Sequence, residues 1–138
     1  MAHQRFRRFN TGMYYKDHDV KNEMCMAVRA GHLIFLRGQT GFTFEGGFVG
    51  LGDAAAQADQ AMKNVKVLLE EAGSKMAHIC KITTYITDRA YREPVYQVIG
   101  RHLGDIAPVG TGLIVNGLAL PALLVEVDVG AVLPDGEA

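Results

Sequence analysis

The chain has 138 residues, of which 49% are apolar and 21% charged, and its net charge is −1. This length and composition are typical of a single globular domain with a core of its own. The balanced charge argues against a nucleic-acid-binding domain, since such domains are usually basic. The one basic cluster, Arg5, Arg7 and Arg8, is explained as well by a solvated first strand as by phosphate contacts.

Neither the cysteines nor the apolar runs indicate a secreted or membrane protein. Cys25 and Cys80 lie far apart and show neither metal-type spacing nor a disulfide pattern. The N-terminus has no apolar signal stretch, and the longest apolar run, around 118–125, contains Pro121 and is too short to span a bilayer. We therefore expect a cytoplasmic protein without membrane association. The histidines lack metal-ligand spacing, so we expect neither a metal site nor a cofactor.

The first half of the chain has the patterns of strands: residues 4–9 alternate weakly between apolar and polar, and 23–30 and 32–37 are apolar runs. Three strands are predicted, over 4–9, 23–30 and 32–37. The second and third form a hairpin that turns at Gly31. A glycine-rich loop over 38–52 follows, and loops of this length in compact domains are often functional.

The second half contains two helices and three strands. The first helix runs from an N-cap at Asp53 to a C′ glycine at Gly73, with polar residues such as Gln57 and Asn64 predicted to cover its outer side. The remaining elements are a strand over 79–87, a helix over 89–103, strands over roughly 110–117 and 123–132, and a frayed tail over 134–138.

The order β-β-β-α-β-α-β-β predicts one α/β (α+β) domain with a mixed sheet and both helices on one face. Strands such as 33–36 and 123–125 are apolar at consecutive positions, which is typical of burial on both faces. Two helices can cover only one face. We therefore expect a second copy of the chain to cover the other.

Several segments, in order and spacing, resemble the Rid/YjgF family, which includes the endoribonuclease L-PSP proteins. They are Arg37-Gly38-Gln39, AAAQADQAMKNVKVLLEEAG, ICKITTYITD and PALLVEVDVGAV. The resemblance extends from about Val20 to Leu133. It implies a chorismate-mutase-like fold and a homotrimer with ligand clefts between subunits. The best-known activity that it implies is hydrolysis of reactive enamines and imines to ketoacids and ammonia.

The resemblance also assigns residues to a site. Gly38 matches the glycine whose backbone meets the ligand, and Glu126 matches the glutamate proposed to position the hydrolytic water. The family's deaminases have an arginine at the start of the fifth strand, and here Gly110 stands in its place. The other departures are Gly112 for a cysteine, Met24 for a tyrosine and Glu93 for an asparagine.

Enamine hydrolysis needs a cation for the substrate carboxylate, a positioned water and a donor for developing charge. Glu126 could position the water, and backbone N–H groups near Gly38, Gly110 and Gly112 could stabilise the developing charge. Arg37 either supplies the lost positive charge from another wall or forms a structural ion pair with Glu126 or Asp128. Cys25 is either a buried inert thiol or part of the cleft. The candidate substrate-binding residues are Arg37, Gly38, Gly110, Thr111, Gly112 and Cys25, and the candidate catalytic residue is Glu126.

The favoured function is hydrolytic deamination of a small reactive imine or enamine, or action on a related metabolite, in a cleft between subunits. The absent arginine favours a substrate other than the standard one. The alternative is a trimer that binds a small-molecule metabolite without catalysis. An endoribonuclease is less favoured, because the charge is balanced and no basic, aromatic-rich surface is evident.

Overall fold

The structure is a computed structural model that describes residues 2–136 of the chain. Within this range the elements follow the predicted order of three strands, a helix, a strand, a helix and two strands. The tail predicted over 134–138 is described only as far as Gly136. Residue 1 and residues 137–138 lie outside the described range.

Six strands form one mixed sheet. They are β1 (Gln4–Asn10), β2 (Glu23–Ala30), β3 (Leu33–Leu36), β4 (Ile79–Ile86), β5 (Val109–Ile114) and β6 (Val125–Val132). Their spatial order is β1-β2-β3-β6-β4-β5, and neighbours are antiparallel except for the parallel pair β4 and β5. The mixed sheet predicted from the element order is confirmed.

The closing strands are shorter than predicted. β5 ends at Ile114 rather than at 117, and β6 begins at Val125 rather than at 123. The N–H of Leu124 donates to Gln57 Oε1 at 2.9 Å, so a helix side chain holds the backbone just before β6. This contact satisfies the Leu124 N–H, while the Leu124 carbonyl accepts from the Thr87 N–H at 3.1 Å.

Two helices cover one face of the sheet: α1 (Ala54–Glu71) follows β3, and α2 (Arg92–Leu103) joins β4 to β5. The predicted ends of α1 are confirmed, because the Asp53 carboxylate accepts from the Ala56 N–H at 3.1 Å and Gly73 has a φ of 85°. α2 begins three residues later than predicted, because Arg89–Tyr91 form a 3₁₀ turn.

Two polar residues of α1 are buried, and their predicted place on its outer side is wrong. Gln57 Nε2 donates to the carbonyls of Gly50 and Ala122 at 2.9 and 3.0 Å. Asn64 Nδ2 donates to the carbonyl of Phe42 at 2.7 Å. Their amides satisfy loop backbone groups that would otherwise be buried without partners. α1 therefore holds the glycine-rich loop and the segment before β6 in place.

The sheet face opposite the helices is open and partly apolar. Along β6 the residues Val125, Val127, Val129 and Ala131 are buried, so the alternate residues point to the other face. The side chain of Phe35, on that face of β3, is 54% exposed. The other large apolar side chains exposed there are Met24, Leu33, Val109, Leu113 and Val132. The prediction that the helices cover one face only is confirmed.

Candidate functional site

Gly38 and Glu126 meet where the chain leaves β3 and passes β6. Gln39 and Val127 exchange two backbone hydrogen bonds of 2.8 Å, which places this segment beside β6. Glu126 is half-buried on the open face of the sheet. A Cβ on Gly38 would overlap the Glu126 carboxylate. The absence of a side chain at position 38 therefore leaves the space that this carboxylate occupies.

Aromatic rings hold the Arg37 guanidinium beside this pair. Its Cζ lies 4.9 Å from the ring centroid of Phe9 and 5.4 Å from that of Tyr14. Its Nη2 donates to the Tyr15 hydroxyl at 3.3 Å. The resemblance aligns Met24 with the family's tyrosine, but Tyr15 is the residue that brings a phenol to this corner.

The ion pair considered for Arg37 is not formed. No acidic side chain within residues 2–136 lies within 4.0 Å of its guanidinium. Glu126 and Arg37 still interact through their charges. Burial raises the pKa of Glu126, Arg37 opposes that rise, and the Asp128 carboxylate adds to it. Desolvation outweighs the guanidinium, so Glu126 holds a proton more readily than an exposed glutamate does.

Gly110, the position of the missing arginine, lies on the edge strand β5. It pairs with Ile82, and Gly112 pairs with Thr84. Ile82 and Thr84 are buried beneath the helices, so side chains at 110 and 112 would point to the helix side of the sheet. An arginine at Gly110 would therefore extend toward α2, and away from the face that carries Glu126.

A groove of about 400 Å³ runs along β5 at the start of α2. Arg89, Arg92 and Tyr96 line its helix side. Arg92 Cζ lies 4.6 Å from the Tyr96 ring centroid, and a Cβ on Gly112 would overlap the Tyr96 hydroxyl. Sequence reasoning missed these side chains. Their spacing of three and four residues, which would place them on one face of the helix predicted over 89–103, was the available signal.

Of the two remaining candidates, Thr111 lines the groove along β5, whereas Cys25 lies outside both arrangements. The Thr111 hydroxyl accepts from Lys81 Nζ at 2.7 Å. The Cys25 thiol donates to the Ala27 carbonyl at 3.4 Å, and it shares the strand face of the buried Ala27. The structure thus brings together Arg37, Gly38 and Glu126, and places Gly110 and Gly112 on the other side of the sheet.

The described part of the chain offers no cluster of three His, Cys, Asp or Glu side chains arranged to hold a metal ion. Over the same residues, no helix combines the length and apolar character needed to cross a membrane.

A six-stranded mixed sheet with two helices on one face is the chorismate-mutase-like architecture of Rid/YjgF proteins. The chain belongs to that family: the model described as "Endoribonuclease L-PSP" matches residues 18–133. The resemblance and the fold inferred from the sequence are both confirmed.

Known relatives share the fold at modest identity. A RutC family protein from Aquifex aeolicus is 33% identical over 107 residues, which are 77% of this chain and 85% of that protein. A 2-iminobutanoate/2-iminopropanoate deaminase from Dermatophagoides farinae is 32% identical over 60 residues, 44% of this chain and 47% of the relative. The crystal structure of a YjgF/YER057c/UK114 family member from Mycobacterium tuberculosis has a TM-score of 0.76 and 26% identity, covering 96% of this chain and 100% of that one.

Proposed function

We propose that the protein hydrolyses a small reactive imine or enamine to a carbonyl compound and ammonia, with Glu126 positioning the water. The observation that carries this proposal is the position of the Glu126 carboxylate: it occupies the space left by the missing side chain of Gly38, on the open face of the sheet. The likeness to an iminobutanoate/iminopropanoate deaminase over 60 residues supports the same chemistry.

The chemistry requires one water and one proton acceptor. The water oxygen adds to the carbon of the protonated imine while Glu126 takes a proton from the water, and the C=N electron pair moves to the nitrogen, which becomes a neutral amine. Glu126 then returns the proton to that nitrogen. As the C–N bond breaks, the carboxylate takes the proton of the new hydroxyl group, so that the C=O bond forms and ammonia leaves. A partly buried carboxylate suits both steps, because its raised pKa brings proton uptake and release closer to neutral pH.

Arg37 acts on Glu126 in this scheme. Its positive charge favours the ionised carboxylate that accepts the first proton. Stacking on Phe9 and Tyr14 fixes the guanidinium without an acidic partner at close range. That Arg37 also contacts the ligand stays a prediction, and ligand binding by Arg37→Ala tests it: unchanged affinity in a folded trimer would reject direct contact.

The proposed assembly is a homotrimer with the cleft between subunits. Glu126 and the groove along β5 lie on opposite faces of the sheet in one protomer, so a small ligand touching both needs a second copy. The exposed apolar side chains of the open face, led by Phe35, give that copy a surface to bury. We also propose a cytoplasmic location.

The proposal is tested by release of ammonia from enzymatically generated 2-aminoacrylate and 2-iminobutanoate. Faster release with the protein than without it is the expected result. The second candidate, a trimer that binds a metabolite without catalysis, is favoured by Gly110, where the family's deaminases carry an arginine. It predicts ligand binding with no acceleration.

A ribonuclease has weaker support. In the basic first strand, Arg7 is engaged by Glu71 at 2.6 Å and stacks on Phe44 at 4.1 Å from the ring centroid. This arginine is therefore held by the protein itself. Incubation with labelled RNA after stringent nuclease removal is expected to leave the RNA intact.

A further inference from the structure

The groove between β5 and α2 is strongly basic. Arg89 and Arg92 line it, and neither has an acidic side chain of residues 2–136 within 4.0 Å. Glu93, the adjacent acid, lines a neighbouring depression of about 700 Å³ together with Arg89 and Arg92, but it does not line the groove along β5. The groove therefore presents two cations whose charge is not neutralised by a direct ion pair.

One of these cations is held in a defined position. The Arg92 guanidinium lies over the Tyr96 ring, and the Tyr96 hydroxyl sits against the backbone of Gly112. Ring stacking uses the face of a guanidinium and leaves the N–H donors along its edge free. Gly112 thus permits Tyr96 to approach the strand, and Tyr96 in turn fixes Arg92.

The opposite wall leaves room for a small ligand. Gly110 has no side chain, and a Cβ there would meet only Ile82 Cγ2, at 3.8 Å. Among the described strands β5 pairs with β4 alone, so its outer edge presents backbone groups without a strand partner. Ile114, which is 43% exposed, adds apolar surface at the end of the groove. A small anion with a short aliphatic part fits this combination.

We propose that Arg92, assisted by Arg89, binds the carboxylate of the substrate in this groove. The inference rests on the proposed function, and what it adds is the residue that binds the carboxylate of the imine. A carboxylate is favoured because two parallel N–H···O bonds match the edge of a guanidinium. The positive charge missing at Gly110 is then supplied from α2, on the same side of the sheet, rather than by Arg37.

The test is calorimetric titration of the full chain with 2-oxobutanoate, and with its neutral counterpart 2-oxobutanamide, at low ionic strength. The variants are Arg92→Gln, Arg92→Lys and Arg89→Gln. Arg101→Gln is the matched control, since Arg101 is an exposed arginine of the same helix outside the groove. Circular dichroism and sedimentation verify the fold and assembly of each variant.

We expect Arg92→Gln to weaken 2-oxobutanoate binding about ten- to hundredfold, the usual effect of losing a charge-assisted contact. Arg92→Lys keeps the positive charge but loses the two parallel N–H donors, so its affinity is expected to lie between those of wild type and Arg92→Gln. Arg89→Gln is expected to weaken binding less than Arg92→Gln does. Arg101→Gln is expected to bind within about twofold of wild type. The amide is expected to bind weakly to every form. Wild-type affinity in Arg92→Gln, an equal loss in Arg101→Gln, or no binding of millimolar 2-oxobutanoate to wild type would overturn the inference.

Ammonia release separates this inference from the proposed function. If wild type hydrolyses 2-iminobutanoate and Arg92→Gln keeps its KM, the function stands and the Arg92 assignment is wrong. If wild type releases no ammonia and yet binds 2-oxobutanoate through Arg92, the carboxylate site stands and the hydrolase proposal is wrong.

Discussion

The Glu126 carboxylate lies where a side chain on residue 38 would have to be, and within residues 2–136 the three atoms nearest to that space, chain neighbours aside, all belong to Glu126. Gly38 does not have a left-handed backbone conformation, so the turn itself does not require a glycine. The contact with Glu126 is what requires it.

Replacing Gly38 by alanine is therefore expected to damage the site more than the fold. The new Cβ would push the Glu126 carboxylate, the free end of its side chain, out of position. A displacement of about 1 Å at a reacting group can cost about 100-fold in rate, and we expect kcat/KM for imine hydrolysis to fall by about that factor in Gly38→Ala. The Tm is expected to change by only a few degrees.

Gly130→Ala is the matched control for that substitution. Gly130 lies on the same strand as Glu126, and a Cβ there would meet only the Cβ of Lys81, at 4.0 Å. Its activity is expected to equal that of wild type. Equal activity of Gly38→Ala and Gly130→Ala would show that the position of the Glu126 carboxylate does not matter.

The raised pKa of Glu126 predicts a pH dependence of activity. The carboxylate must be ionised to accept a proton from water, so kcat/KM is expected to fall as the pH drops through a pKa that lies above the ordinary value of about 4.3. Arg37 lowers that pKa, so Arg37→Gln is expected to move the acid limb to higher pH. A limb that stays in place in Arg37→Gln would contradict the coupling between the two residues.

The raised pKa of Glu126 also predicts that the stability of the fold changes with pH in the direction opposite to activity. Between the ordinary and the raised pKa the folded state binds more protons at Glu126 than the unfolded state does, so the contribution of this group to stability falls as the pH rises through that interval. The free energy of unfolding of Glu126→Gln minus that of wild type is thus expected to be larger at about pH 7.5 than at about pH 4. Urea unfolding at fixed protein concentration measures this, with the exposed Glu70→Gln as the control. A gain that is larger at the lower pH would have the wrong sign.

Gln57 is expected to contribute strongly to stability. Its buried amide serves Gly50, Ala122 and Leu124, and alanine would leave those backbone groups without their partner. Gln57→Ala is predicted to cost about 2–3 kcal/mol in chemical unfolding. Lys66→Ala, an exposed position of the same helix, is expected to stay within about 0.5 kcal/mol of wild type. A loss no larger than that of Lys66→Ala would contradict the role given to the amide.

The open sheet face predicts the assembly. Sedimentation equilibrium is expected to give a trimer of the 15.0 kDa chain. Phe35→Asp would place a charge in the proposed interface and is expected to shift the mass toward the monomer. Val67→Asp, at an exposed apolar position on α1, is expected to leave the trimer intact. A monomeric wild type, or the same shift in both variants, would contradict an interface on this face.

The sequence predicts the fold well because its signals are local. The apolar period of α1, its cap at Asp53 and the C′ position of Gly73 all lie within the helix or next to it. Gln57 could not be placed in this way, because its partners include a carbonyl 65 residues away in the chain. A polar side chain in an amphipathic helix is ordinarily assigned to the outer face, and only the packed loops show otherwise.

The site was predictable only in part for the same reason. The family resemblance located Gly38 and Glu126, which the structure brings into contact. It could not show that Arg37 lies against rings from β1 and the following turn, since Phe9 and Tyr14 are 28 and 23 residues away in sequence. Nor could it show Arg92 beside Gly112, since that neighbourhood depends on how α2 packs against β5.

The central claim is that Glu126 positions the water for imine hydrolysis. The most direct measurement compares wild type with Glu126→Gln in the rate of ammonia release from 2-iminobutanoate and 2-aminoacrylate. Wild type is predicted to accelerate release, and the folded, trimeric variant to lose about 10²- to 10⁴-fold of that rate, the usual contribution of a general base. Release at the buffer rate by wild type, or undiminished release by Glu126→Gln, would contradict it.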